Sequence, residues 1–291
     1  MRAISIPVTL GVVATLAACG EGGGDVTASE SSDQPQRFTA TATVLESPEH
    51  GPQLCLGAVA TSLPPQCGGP DITNWDWDEV DGAESMAGTT WGFYTVVGTY
   101  DGDRFTLTEP PAQPDEQAVS AEPTPTFPTP CPEPEGGWAV VDEATATEEA
   151  MYAAIAYADG QPDHAGTWVD QSINPAMADS DADVEAAAND PTMLVLNIRF
   201  TGDLDRHEAE LRAIWGGALC ISLAEHTEAE LRAIQDELHG EFPNVLMSSV
   251  NSVTGMVEFE VAFDDGSLQQ EADNRYSVGV VQISSRLRPV D

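Results

Sequence analysis

The chain contains no lysine, and its ten arginines stand against 49 acidic residues, a formal net charge of −39. Such a surface repels phosphate backbones and anionic headgroups, which excludes nucleic-acid binding. Long hydrophobic runs are also missing. The apolar stretch 4–15 falls short of the ~20 residues that a spanning helix needs. No two of the five cysteines have metal-ligand spacing and the five histidines are scattered, so no zinc site is expected. No serine sits in a Gly-x-Ser-x-Gly elbow and no histidine pattern suggests a triad. The carboxylates are too numerous for a glycosidase pair to stand out. The expectation is a protein without catalytic activity and without a required cofactor.

The apolar fraction of 41% and the six tryptophans are enough to build real cores, so the chain is not disordered throughout. The acid excess suits solubility in a salty medium, where screening limits self-repulsion to a Debye length of ~10 Å or less.

Arg2 is followed by the apolar run 4–15 and then by Leu16-Ala17-Ala18-Cys19. A basic start, a short apolar core and small residues before a cleavage point are the marks of a secretory signal. With a cysteine directly after that point, the segment resembles a bacterial lipobox. The resemblance implies cleavage after residue 18, a diacylglyceryl thioether on Cys19, and a mature protein anchored by lipid on the outer face of a membrane. The other four cysteines, Cys55, Cys67, Cys131 and Cys220, are then an even number in an exported chain and read as two disulfides. Three pairings are open. Closeness in sequence favours Cys55–Cys67, which leaves Cys131–Cys220 to staple a linker to a domain.

The length suggests two domains. After a signal at 1–18, residues 19–36 are small, polar and acidic, a flexible tether. Residues 37–109 carry five strand-like segments, and Asp101-Gly102 marks a hairpin between two of them. This part is expected to be a small all-β barrel or sandwich, by analogy an OB-type barrel. Residues 110–136 form a proline-rich linker that prefers extended polyproline II. Residues 137–291 alternate helix and strand and predict an α+β domain, with helices packed on one face of a mainly antiparallel sheet. Capping boxes are expected at Thr145/Glu148 and Thr227/Glu230. The heptapeptide Glu208–Ile214 recurs identically as Glu228–Ile234, which reads as two helices packing alike on that sheet.

Two sets of residues are candidate sites. Asp179, Asp181, Asp183, Glu185 and Asp190 copy the oxygen-ligand rhythm of a calcium loop, although Val184 occupies the place of the usual glycine. Calcium is therefore the one candidate metal, against a solvated acidic loop. Trp75, Trp77, Trp91, Phe93 and Tyr94, beside the rigid loop Pro64–Pro70, are candidates to border a ligand groove for a glycan or peptide, against serving as the core of the barrel. His207 and His226 fall at helix starts and are expected to be solvated.

The C-terminal part resembles the pro-region of secreted bacterial serine proteases of the α-lytic and streptogrisin type. The resemblance rests on Thr167-Trp168-Val169-Asp170, the strand Leu194–Phe200, Ser222-Leu223-Ala224-Glu225 ahead of the Leu231–Leu238 helix, the hairpin Ser249–Val261 and the run Val280–Ser285. It implies an α+β fold and a role as regulator or inhibitor of a secreted enzyme. The residues themselves point first to a lipid-anchored module of the cell envelope that binds a protein or a wall polymer. The alternatives are the pro-region-like regulator and an unrecognised envelope hydrolase.

Overall fold

A computed structural model describes residues 35–115, 126–178 and 190–290. Contacts separate the chain into Met1–Pro35 and a unit Gln36–Asp291. The signal segment, Cys19 and four of the candidate calcium ligands, Asp179, Asp181, Asp183 and Glu185, lie outside the described residues. Among the described residues the architecture is mixed α+β with three sheets and four α-helices.

The largest sheet comprises β1 (Arg37–Ser47), β2 (His50–Cys55), β3 (Asp71–Thr73), β4 (Glu84–Met86), β5 (Thr89–Tyr100), β6 (Arg104–Leu107) and β13 (Arg288–Val290), in the order β13-β1-β2-β3-β6-β5-β4. A further antiparallel pairing, from Arg37↔Thr99 to Glu46↔Thr90, joins β1 to β5 and closes the ring β1-β2-β3-β6-β5. The period-two sequence of β1 explains its faces. Phe38, Ala40, Ala42 and Val44 point into the core, while Thr39, Thr41 and Thr43 point out. Asp101-Gly102 turns the β5–β6 hairpin: Asp101 Oδ1 accepts from the amides of Asp103 and Arg104, which holds its carboxyl below the usual range. Cys55 and Cys67 form a disulfide, with Cα atoms 5.6 Å apart. Just outside the loop it closes, a Cβ at Gly69 would stand 1.8 Å from the Leu54 carbonyl oxygen, so only glycine lets the two backbones cross there.

The remaining elements are α1 (Glu148–Asp159), β7 (His164–Asp170), β8 (Val195–Phe200), α2 (Leu204–Arg212), β9 (Ala218–Leu223), α3 (Glu228–Glu241), β10 (Val245–Asn251), β11 (Met256–Val261), α4 (Ser267–Tyr276) and β12 (Val281–Ser285). Instead of one mainly antiparallel sheet they build two sheets, β7-β8-β9 and β10-β11-β12. Each pairs its first two strands antiparallel and its last two parallel. The parallel pairs follow from the connection, since β8-α2-β9 and β11-α4-β12 each return over a helix.

Among the described elements the order α-β-β-α-β thus occurs twice, and the registers match. Val169, Leu196 and Leu219 stand side by side in the first sheet, as Val250, Val257 and Val281 do in the second. One core holds Leu196, Ile198, Phe200, Leu211 and Trp215; the other holds Leu231, Leu238, Val257, Phe259 and Val281. The repeated heptapeptide is not this repeat: it falls on α2, the second helix of the first unit, and on α3, the first helix of the second. The two helices pack on different sheets.

The Thr227/Glu230 capping box is present, whereas α1 opens two residues later than expected, with the Thr147 hydroxyl accepting from the Ala150 amide. Cys131 and Cys220 form the second disulfide, with Cα atoms 5.8 Å apart. At the far end β13 pairs antiparallel with β1, and Ala262 and Leu287 enter the same core cluster as Phe38 and Phe105. The Phe38 and Phe263 rings meet edge-on at 4.6 Å. Two disulfides are consistent with an oxidising, extracytoplasmic compartment. Among the described residues no helix is long and apolar enough to cross a membrane.

Candidate functional site

The alternation that turns Thr39, Thr41 and Thr43 outward on β1 also turns Phe93 and Thr95 outward on β5. These side chains floor an open cleft of about 730 Å3, within the ~300–1,000 Å3 range of ligand sites. The Thr41 and Thr95 hydroxyls are 2.8 Å apart and the Thr39 hydroxyl donates to the Val96 carbonyl, so the floor is ordered. Phe93 is 44% exposed there. One wall is the last residue of β2, Cys55, and the chain after it to Val59, which the Cys55–Cys67 disulfide restrains. The other wall is built by Glu260 of β11, Ser284 and Ser285 of β12, and Arg286 and Arg288 around the turn into β13. This wall is positioned by backbone bonds from Arg286 N to the Val261 carbonyl (3.0 Å) and from Leu287 N to the Ala262 carbonyl (2.9 Å), with Leu287 fully buried as the anchor.

Through Glu260 and Ser284 the cleft runs on into a smaller hollow of about 250 Å3 over β10-β11-β12, bordered by Met247, Ser249, Glu258 and Gln282. The groove therefore brings two arginines together in a chain that holds few. Arg286 faces Glu260 at 3.6 Å and Arg288 is exposed. A surface of hydroxyls, one aromatic ring, paired charges and a carboxamide suits recognition by hydrogen bonding and stacking. This groove was missed from the sequence because its two walls are separated by more than two hundred residues.

The five aromatics singled out from the sequence do not meet in one groove. Trp75, Trp77 and Tyr94 pack on one another, with ring centroids 5.2 Å (Trp75–Trp77), 5.2 Å (Trp75–Tyr94) and 6.4 Å (Trp77–Tyr94) apart, in the core cluster under the largest sheet. The Trp77 indole donates to Glu46. Trp91 and Phe93 alternate with Tyr94 on β5 and face the other way; Phe93 is the one of the five that lines the cleft. Of the candidate calcium ligands, Asp190 is described: its carboxylate accepts from the amide and hydroxyl of Thr192. Among the described residues no group of three or more His, Cys, Asp or Glu side chains is gathered to hold a metal.

His207 is a correction. It lies in the first turn of α2 but one turn before Leu211, on the face turned to the sheet, and is completely buried. Its ring stacks on Phe200 at 3.7 Å and 2°. Nε2 is 2.9 Å from Asp163 and Nδ1 is 3.0 Å from the Tyr157 hydroxyl, which donates to Glu210 at 2.5 Å. Burial pushes the Tyr157 hydroxyl up, with help from Glu210, to about 12, so it stays protonated as a donor. Burial also pushes the Asp163 carboxyl up, but the bond to His207, aided by the backbone and Arg206, outweighs it and leaves Asp163 below the ordinary range. The result is a polar chain tying α1, α2 and the turn before β7, with Glu210 at its exposed end. The two cavities above do not reach it. The sequence signal that finds it is the His207–Leu211 spacing, which continues the buried stripe of α2.

Searches of protein-family models, of curated proteins and of solved structures return no match to this chain.

Proposed function

We propose that the protein is a lipid-anchored, extracytoplasmic binding module of the cell envelope, which takes a partner protein or wall polymer in the groove and performs no chemistry of its own. The observation that carries this reading is the continuous groove of about 730 Å3, with Phe93 on its floor and Arg286 and Arg288 on its wall. The ring order β1-β2-β3-β6-β5, with β3 and β6 parallel, supports reading the N-terminal part as an OB-type barrel, a scaffold that binds polymers on its outer surface. The second module is then the pair of αββαβ units. Lipidation at Cys19 would hold both at the membrane face, and the disulfides fit that compartment.

The test is a pull-down from envelope extracts with the full chain and with Phe93→Glu. Retention of a partner by the parent chain and its loss in the variant is expected; no partner at any salt concentration overturns the reading. Mass spectrometry of the native product tests the anchor. A diacylated cysteine at the N-terminus is expected, and an uncleaved, unmodified start removes the lipid from the account.

A further inference from the structure

The two αββαβ units treat the side of the sheet away from their helices in opposite ways. In the first unit that side carries Trp168, Asn197 and Cys220 in one row across the strands, and Asp170, Val195 and Ala218 in the next. Residues 127–138 lie along it. The Trp168 indole donates to the Pro128 carbonyl at 3.2 Å, and the Thr129 amide and hydroxyl donate to Asp170 at 2.8 and 2.7 Å. Cys131 bonds Cys220, and Cys131 and Trp138 pack on Val195 and Ala218. Prolines at 128, 130, 132 and 134 hold this strap extended before it docks, so little chain entropy is lost.

In the second unit the matching row is Ser249, Glu258 and Gln282, and the row of Asp170 and Val195 is matched by Asn251 and Met256. This side is open: it forms the 250 Å3 hollow, and it runs into the larger cleft. Its hydroxyl, carboxylate and carboxamide are groups that bond a peptide backbone, as Asp170 and Trp168 do in the first unit.

We propose that the open face of β10-β11-β12 docks an extended, proline-containing segment of a partner polypeptide, in the way residues 127–138 dock on β7-β8-β9. This deepens the binding-module reading above and rests on it. The charge of the occupant follows from the face. Arg286 neutralises Glu260, which leaves Glu258 as the charge to be met, on a chain whose net charge of −39 repels acidic segments. The segment therefore carries a lysine or arginine among its prolines.

The probe is a fluorescein-labelled peptide of residues 126–138 with Cys131→Ser, Glu133→Lys and Glu135→Lys, titrated by anisotropy into the full chain. Saturable binding is expected. Gln282→Arg should weaken it at least tenfold and Gln282→Glu should tighten it, a pair of opposite signs that a folding defect does not produce. Glu149→Lys on exposed α1 should leave it within twofold. Absence of binding, or equal weakening by Gln282→Arg and Glu149→Lys, overturns the proposal. The same variants enter the envelope pull-down. If the peptide fails while solubilised wall polymer is retained and lost with Phe93→Glu, the polypeptide occupant is wrong and the binding-module reading stands. If neither binds, both fall.

Discussion

The two αββαβ units bury their helix sides with matched registers and differ in what lies on the opposite side of the sheet. Where the strap covers it, Trp168, Asp170, Val195, Asn197, Ala218 and Cys220 are all buried, and the one charge among them, on Asp170, is met by the amide and hydroxyl of Thr129. Where it is open, the matching positions are Ser249, Asn251, Met256, Glu258, Val280 and Gln282, of which Val280 alone is buried. One arrangement has thus been kept for two environments, and the alternate residues of three short strands decide which side is closed.

Truncating the paired core positions of the two units should have the largest effect. Ile198 and Phe259 occupy equivalent places and are buried at 0% and 1% exposure. Ile198→Ala should cost ~2–5 kcal/mol and Phe259→Ala ~3–5 kcal/mol, read from urea denaturation. A cost below 1 kcal/mol for one of them would show that its unit does not share the folding transition. Next comes the strap. Replacing Cys131 and Cys220 together by alanine opens an 89-residue separation and should cost ~2–4 kcal/mol. Limited proteolysis should then cut between residues 127 and 138 in the variant and leave that stretch intact in the parent chain.

Asp170 distinguishes the two faces by pH, because its equivalent Asn251 does not titrate. Burial raises the Asp170 carboxyl, but bonds from Ser172 and Thr129 outweigh it and hold it below the usual range. Its contribution is therefore present above the unfolded value of ~4 and is lost as pH falls through the lower folded value. Asp170→Asn should cost ~1–3 kcal/mol at pH 7 and should flatten the loss of stability on acidification, measured as urea midpoints at neutral and acid pH. The smallest effect separates the repeated heptapeptides. The half-buried Arg212 donates to the Gly217 carbonyl at 2.8 Å, while Arg232 pairs with Glu228 on an exposed face. Arg232→Gln should cost no more than ~0.5 kcal/mol, and Arg212→Gln ~1–2 kcal/mol through its lost bond. Equal costs would mean that the two copies of the heptapeptide serve alike.

Much of the local structure was readable from the chain. Alternation over Phe38–Leu45 and Met256–Phe263 gave β1 and β11 with their buried sides, and the Thr227/Glu230 spacing gave the start of α3. Sequence closeness favoured the Cys55–Cys67 pairing, and with it the second disulfide. The duplication was hidden because its pairs share character without identity: Leu196 with Val257, Ile198 with Phe259, Phe200 with Val261. The identical heptapeptide pointed to helices that are not equivalent. β13 escaped because three residues with a proline at their centre carry no strand signal. The groove was illegible for a related reason, since pairing of β13 with β1 is what brings Arg288 beside Thr39. His207 was misplaced because its position relative to the helix end was weighed above its spacing to Leu211.

The long antiparallel seam between β1 and β5 has a mechanical consequence. Ten residues of β1, Arg37 to Glu46, are in register with Thr99 to Thr90. A tug applied at residue 36 runs along the axis of β1, so the bonds of the seam share the load in shear and must yield together instead of peeling one after another. A molecule tethered through that end would resist being torn open by whatever it holds, and its grip would outlast softer points elsewhere in the linkage.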